Sequence, residues 1–296
     1  MAFDRRLSPF CLTEKQKEIP NGYILNKIDY ICRHRELCSR NTMDRIAEKT
    51  LLLPPITLEE MSGIKLMNRT DTKFVATLEQ LHSFLQAVQG KYYIQENNGK
   101  RIASYHTTYY DTADYHMYGI HHAGRKVREK IRVRTYMDSD DTFFEIKNKN
   151  NHGRTKKKRI AIAGHDAVAQ EHESIIPFMA KHAWYTIDSI SPVIENWFNR
   201  ITLVNYGKTE RLTIDFNLRF HHLESDGRHQ LQRVAVIELK RDGNVPSPAV
   251  DILRDIRIKS SGFSKYCIGS ALTNSRLKTN NFKERLIMIR KMENKR

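Results

Sequence analysis

The sequence is short of cysteine, of acidic residues and of long apolar runs. Four cysteines occur in 296 residues, and Cys11, Cys32, Cys38 and Cys267 form no CxxC pair and have no histidine at zinc-finger spacing. That excludes a disulfide scaffold and a zinc site recognisable from spacing. No uninterrupted run of about 18 apolar residues is present, and no hydrophobic signal core follows the early arginines. The chain therefore reads as cytoplasmic, without a transmembrane segment and tied to a membrane only through a partner protein. Walker A, GxGxxG, nucleophile-elbow and kinase HRD and DFG motifs are also missing, so any nucleotide chemistry must use another scaffold.

What is abundant is positive charge: 50 Lys and Arg against 34 Asp and Glu, a formal net charge of +16. Such a balance favours polyanionic partners, among them nucleic acid, nucleotides, polyphosphate or an anionic membrane surface, without choosing between them. A hydrophobic fraction of 40% at this length allows a substantial core.

Residues 1–42 show no sustained period and read as a loose tail, or as an upstream translation artefact with Met43 the working start. Residues 43–296 read as one domain. It opens with a short helix, a break at Pro54-Pro55 and a Thr57-x-x-Glu60 capping box starting a second helix. LMNRTDTKFVA follows as a strand with Arg69, Asp71 and Lys73 on one face, then a helix at about 78 to 89. KYYIQEN and RIASYHTTYYDT flank Asn97-Asn98-Gly99 and predict a hairpin. A helical stretch is expected through HAWYTIDSISPVIENWF, another at about 248 to 259, and a basic C-terminal helix packed by Phe282, Leu286 and Ile289.

The centre of the chain carries the functional signal. Three successive strands alternate, with Lys130, Arg132 and Arg134, then Glu145, Lys147 and Lys149, then Lys157 and Arg159 on one side. Ile131 and Val133, Phe144 and Ile146, and Ile160 and Ile162 occupy the other side, as in a sheet packed on one face. The pattern returns with Arg200, with Arg211, Thr213, Asp215, Asn217 and Arg219, and with Glu238 and Lys240. So many cations side by side repel one another, and a polyanion held within them would offset the repulsion. The expected fold is α+β, an antiparallel β-barrel of about eight strands with flanking helices and a ligand in its lumen. Glu238 is expected either to hold a divalent ion or to pair with a lumen arginine. Asp71 and Asp215 are expected to pair with neighbouring arginines, and His106, His116, His121, His122 and His152 to fill surface or core roles.

In order, NRTDTKF, KIRVRTY, FFEIKNK, KKKRI, NRITLVN, ERLTIDFNLRF, AVIELKR and FSKYCIG resemble the VTC domain. That domain is the polyphosphate polymerase branch of the triphosphate tunnel metalloenzymes, which also include CYTH-type triphosphatases. The resemblance runs from about Pro55 to Lys283. It implies a triphosphate tunnel in which Lys73, Arg132, Arg134 and Lys147 act at the reaction centre. Arg69, Lys157, Arg159, Arg200, Arg211 and Lys265 would bind phosphate, and Glu238 would bind Mn2+ or Mg2+. The implied reaction moves the γ-phosphate of ATP onto a growing inorganic polyphosphate chain. Where CYTH-type hydrolases carry ExExK, this chain reads Arg69-x-Asp71-x-Lys73, and fewer acids favour the polymerase branch. The alternatives are a metal-dependent triphosphatase and a non-catalytic polyanion-binding module. Nucleic acid is not expected as a partner, because the cationic strand faces carry few aromatics for stacking. The sequence leaves the oligomeric state open.

Overall fold

The computed structural model describes residues 42–62, 69–169, 171–243 and 245–295; residues 1–41 of the expected tail lie outside them. The chain opens with α1 (42–51), β1 (Pro55–Ile56) and α2 (Leu58–Ser62), the capping box being formed by Thr57 and Glu60 as the spacing predicts. β2 (Arg69–Thr77) runs into α3 (Leu78–Ala87), followed by β3 (Tyr92–Gln95), β4 (Ala103–Asp111) and α4 (His116–His122). Then come β5 (Arg128–Tyr136), β6 (Asp141–Lys149), β7 (Thr155–Ile162), α5 (His172–His182), β8 (Ser191–Asn205) and β9 (Glu210–His222). The last elements are β10 (Arg228–Leu231), β11 (Val234–Asp242), α6 (Pro248–Asp255), α7 (Lys265–Thr273) and α8 (Lys283–Asn294).

Eight strands form one antiparallel path, β2-β11-β9-β8-β4-β5-β6-β7, with β10 added on β9, β3 on β8 and β1 parallel on β3. No ladder joins β2 to β7 among the described residues, so the α+β architecture is a curled sheet with a seam and not a fully bonded barrel. The curl is deep. Lys147 on β6 lies within electrostatic reach of Lys73 and Glu238 on β2 and β11, at the opposite end of the path.

Alternation decides which side is which. Phe74, Ile201, Leu212, Ile214 and Ile237 point outward and pack with Leu78, Leu81, Phe84 and Leu85 of α3. Those α3 positions fall on one stripe of a helix, which starts at a reciprocal Thr77–Gln80 cap. Further along the sheet, Ile131, Val133, Phe144 and Ile146 receive Ile175 and Met179 of α5, one turn apart.

The concave side is filled at one end by α7, whose Tyr266, Cys267 and Ile268 cluster with Val75, Val236, Leu218 and Phe220. Buried Asp111 ties this plug in place. It accepts the backbone N–H groups of Met117 and Tyr118, each at 2.8 Å, and the hydroxyl of Tyr266. Among the described residues no helix is long and apolar enough to cross a membrane.

Three sequence expectations change. The Asn97–Lys100 turn exists, with Asn98 and Gly99 at positive φ, yet only one bridge links its arms, and β3 pairs with β8 and β1 instead of β4. The helix before residue 191 ends at His182, and SPVIENWF is part of β8. Its adjacent Val193 and Ile194 are both buried in the concave cluster, at a register shift in the β4 pairing, so the run lacks the period of two that marks a half-buried strand. In β9, Asn217 adopts φ 52 beside an irregularity in the β8 pairing. Alternation shifts by one there: Leu218 joins the concave cluster, and Arg219 moves out beside Trp197.

Gly269 lets α7 approach the sheet. A Cβ there would stand 2.4 Å from Phe220 and 3.0 Å from Ile194. Gly269→Ala is expected to destabilise the fold by about 1–3 kcal/mol, seen as a lowered Tm, because the Phe220 ring, packed within the concave cluster, must shift to admit the methyl.

Candidate active site

The cross-strand register assembles one cationic surface. Lys130, Arg132 and Arg134 on β5 stand opposite Lys147, Glu145 and Phe143 on β6, and Lys147 and Glu145 stand opposite Lys157 and Arg159 on β7. At the other edge, Lys73 on β2 faces Glu238 on β11, and Lys240 lies between Asp71 and Arg211. Arg200 on β8 faces Asp215 on β9. Lys73, Arg132, Arg134, Lys147, Lys157, Arg159, Arg200, Arg211 and Glu238 therefore all take concave-facing register positions. Lys265 joins them from the first turn of α7. Arg69 opens β2 opposite Asp242, and its side chain lies outside what the structure describes.

The interior carboxylates are distributed among the cations. Glu145, 1% exposed, receives Arg132 through Nε at 2.7 Å and Nη2 at 2.6 Å, and also Lys157. Burial opposes its charge, but Arg132, Arg134 and Lys157 outweigh it and hold the carboxyl down to about 2. Asp215 is bracketed by Arg200, in a bidentate pair at 2.6 and 2.8 Å, and by Lys265. Burial would raise its pKa, yet these two cations hold it well below the carboxylate range. The expected arginine partner of Asp215 is thus present. Glu238 pairs with Lys240 at 3.1 Å, a lysine two residues along its own strand and not an arginine. Burial again works against its charge, and Lys73, Lys240 and Lys147 overcome it.

The cations pay for their crowding in a readable way. Burial is the leading cause that brings Lys130, Lys147, Lys157 and Lys265 down to about 8, with neighbouring positive groups adding to it. Arg134, 5% exposed, is held by Thr107 Oγ1 at 3.1 Å and lies over the rings of Tyr105 and Phe198. Lys73 and Lys130 donate to the loop entering α7, at Phe263 O (2.9 Å) and Ser264 Oγ (3.0 Å). The plug helix and the cationic surface are therefore joined by two lysines.

Sequence reasoning left Lys130, Lys240, Glu145 and Asp215 out of the site, although all four sit on the alternating face; the alternation alone would have included them. Arg219 is the reverse case, excluded only by the bulge at Asn217.

A second polar cluster lies on the convex face. His106, His165 and Glu195 bring one ligand atom each within 4.8 Å of one another. The two imidazoles stack at 3.7 Å and 14°, so an ion in the plane of one ring lies off the plane of the other. Both His165 nitrogens also meet threonine hydroxyls, at Thr108 and Thr135, and Glu195 joins His106 to His221. Its hydrogen bonds tie β4, β5, β8 and β9 together, and of its histidines only His106 was singled out from the sequence.

A curled antiparallel sheet whose concave face gathers Lys and Arg, most of them half-buried, with its few acids spread among them, defines a protein of the tunnel-fold class with a cationic interior. The VTC domain family matches residues 68–274, and the chain belongs to that family. Among solved structures, it is similar to a candidate adenylate cyclase from Vibrio parahaemolyticus at 11% identity, covering 69% of this chain and 99% of that one with a TM-score of 0.42. It is also similar to a candidate adenylyl cyclase from Hippeastrum described as having a dominant triphosphatase activity, at 13% identity, 69% and 96% coverage and a TM-score of 0.44. A protein from Pyrococcus horikoshii OT3 follows at 9% identity, 70% and 99% coverage and a TM-score of 0.39. The curated proteins yield no significant match.

Four lysines near 8, three half-buried and Lys157 exposed, make polyanion binding proton-linked. A polyanion stabilises their charged forms, so protons are taken up on binding wherever the free lysines are partly neutral. Calorimetry with long-chain polyphosphate in buffers of different ionisation enthalpy should register uptake of roughly one to three protons at pH 8.5 and little at pH 6.5.

Proposed function

We propose that this protein extends inorganic polyphosphate, transferring the γ-phosphate of ATP to the end of a chain held in the cationic channel. The observation that carries this reading is the allocation of charge. Glu145 and Asp215 are each committed to two cations, leaving Glu238 as the mid-channel carboxylate that can be shared with a ligand. Metal-dependent hydrolysis draws on several acids to hold ions and organise water. Transfer between phosphates needs charge neutralisation and alignment, and no protein nucleophile.

Glu238 suits Mg2+ or Mn2+: its carboxylate is ionised, hard and 20% exposed, with Lys240 as its ion-pair partner at 3.1 Å. An ion bound there would take its other ligands from phosphate oxygens and water, and would neutralise charge on the transferring group. Arg132 and Arg134 supply fork-shaped donors for phosphate oxygens, and Lys147, across the channel from Glu238, a movable point charge. Lys73 and Lys265, anchored at the plug, hold the inner end of the phosphate chain. Arg200 and Lys157 are available to the ligand while keeping Asp215 and Glu145 ionised. Arg69, Arg159 and Arg211 extend the phosphate path.

Purified protein incubated with ATP and Mn2+, with and without a short polyphosphate primer, should produce a polyphosphate ladder matched by ADP. Lys147→Ala and Glu238→Ala should each lower the rate by at least about a hundredfold, the scale of losing one transition-state charge partner. Free phosphate without a ladder would make the protein a triphosphatase. Tight tripolyphosphate binding without turnover would leave a binding module.

A further inference from the structure

The concave face changes character at one end of β5 and β6. Lys130, Arg132 and Arg134 lead to Tyr136 on β5, and Lys147 and Glu145 lead to Phe143 on β6, with Phe143 directly opposite Arg134. Phe143 is half-buried and belongs to none of the four apolar clusters. The ring of Tyr136 meets it edge-on, with centroids 5.8 Å apart at 83°, and the exposed Arg159 guanidinium lies 4.2 Å from its centre. Tyr136 is backed in turn by Tyr105 at 5.0 Å. An aromatic ring on a cationic strand face, braced by a second ring and not absorbed into the core, is a platform for a flat π-system. The arginine over it supplies a second stacking plane.

We propose that Phe143, Tyr136 and Arg159 form a nucleobase subsite, so that the ATP of the reading above is held by its base as well as by its phosphates. The proposal rests on the phosphate-channel reading above and adds where the donor's base sits and which way its phosphates run. The base lies against Phe143, and the triphosphate runs inward past Arg134 and Arg132 toward Lys147. Phe143 and Lys147 are four residues apart on one strand, about 13 Å, a span that suits an extended nucleoside triphosphate from base to terminal phosphate. The aromatics were hidden in the sequence because they occupy two of the alternating positions that otherwise hold cations.

The test is calorimetric binding of ATP and of inorganic tripolyphosphate to wild type, Phe143→Leu, Tyr136→Leu and Phe143→Tyr. Removing the Phe143 ring should weaken ATP about tenfold, the scale of one lost base stack, while tripolyphosphate changes by less than about twofold. Tyr136→Leu should show the same selective loss, and Phe143→Tyr, which keeps the ring, should retain ATP affinity. Equal weakening of both ligands in both leucine variants, or unchanged ATP affinity, overturns the subsite. Wild-type protein that binds tripolyphosphate but whose leucine variants bind ATP normally refutes this inference alone. Wild-type protein that binds neither ligand refutes the channel reading, and this inference with it.

Discussion

Mutual repulsion among lysines and arginines turned toward one another is the constraint on which the rest of the structure depends. It is met from two directions. Outside, apolar clusters under α3, α6 and α5 fix the curl of the sheet, so the hydrophobic effect holds the cations in place against their own field. Inside, Glu145, Asp215 and Glu238 are spaced so that no long run of cations lacks a carboxylate. Burying such groups is costly in itself and weak evidence for stability. Its value here is a surface prepared for a ligand that carries the missing negative charge.

The same arrangement separates binding from chemistry. Arginines held by carboxylates keep their orientation, as the bidentate Arg200–Asp215 pair does, and so present their remaining donors without reorganising. The lysines hold their protons less firmly in the free protein, and a polyanion restores their charge. Arginine sets geometry in this channel, and lysine adjusts charge.

Much of this was legible in the sequence. Strict alternation from Lys130 to Arg159 marked β5, β6 and β7 with the correct face inward, because only one side of that sheet segment is packed on helices. The Thr57–Glu60 capping box was also readable, since a cap is a local interaction. Where a register shift breaks the alternation the signal failed: β8 read as helix because the adjacent Val193 and Ile194 both lie in the concave cluster. The partner of β3 was unreadable because the turn at Asn98-Gly99 reports a chain reversal and not which strand pairs next. One left-handed residue, Asn217, was enough to carry Arg219 out of the channel, and nothing in the alternating pattern announced it. Closure was over-read as well, since alternation shows a one-sided sheet but not whether its edges meet.

The central claim, that this concave face is a phosphate channel, is tested most directly by a crystal structure of the protein with tripolyphosphate. The account predicts a chain of density between Arg132, Arg134 and Lys147 on one wall and Lys73 and Glu238 on the other, with the Arg200–Asp215 pair still in place. Ordered phosphates found only on the exposed lysines of the outer surface, with the channel cations still satisfied by Glu145, Asp215 and Glu238 alone, would contradict it.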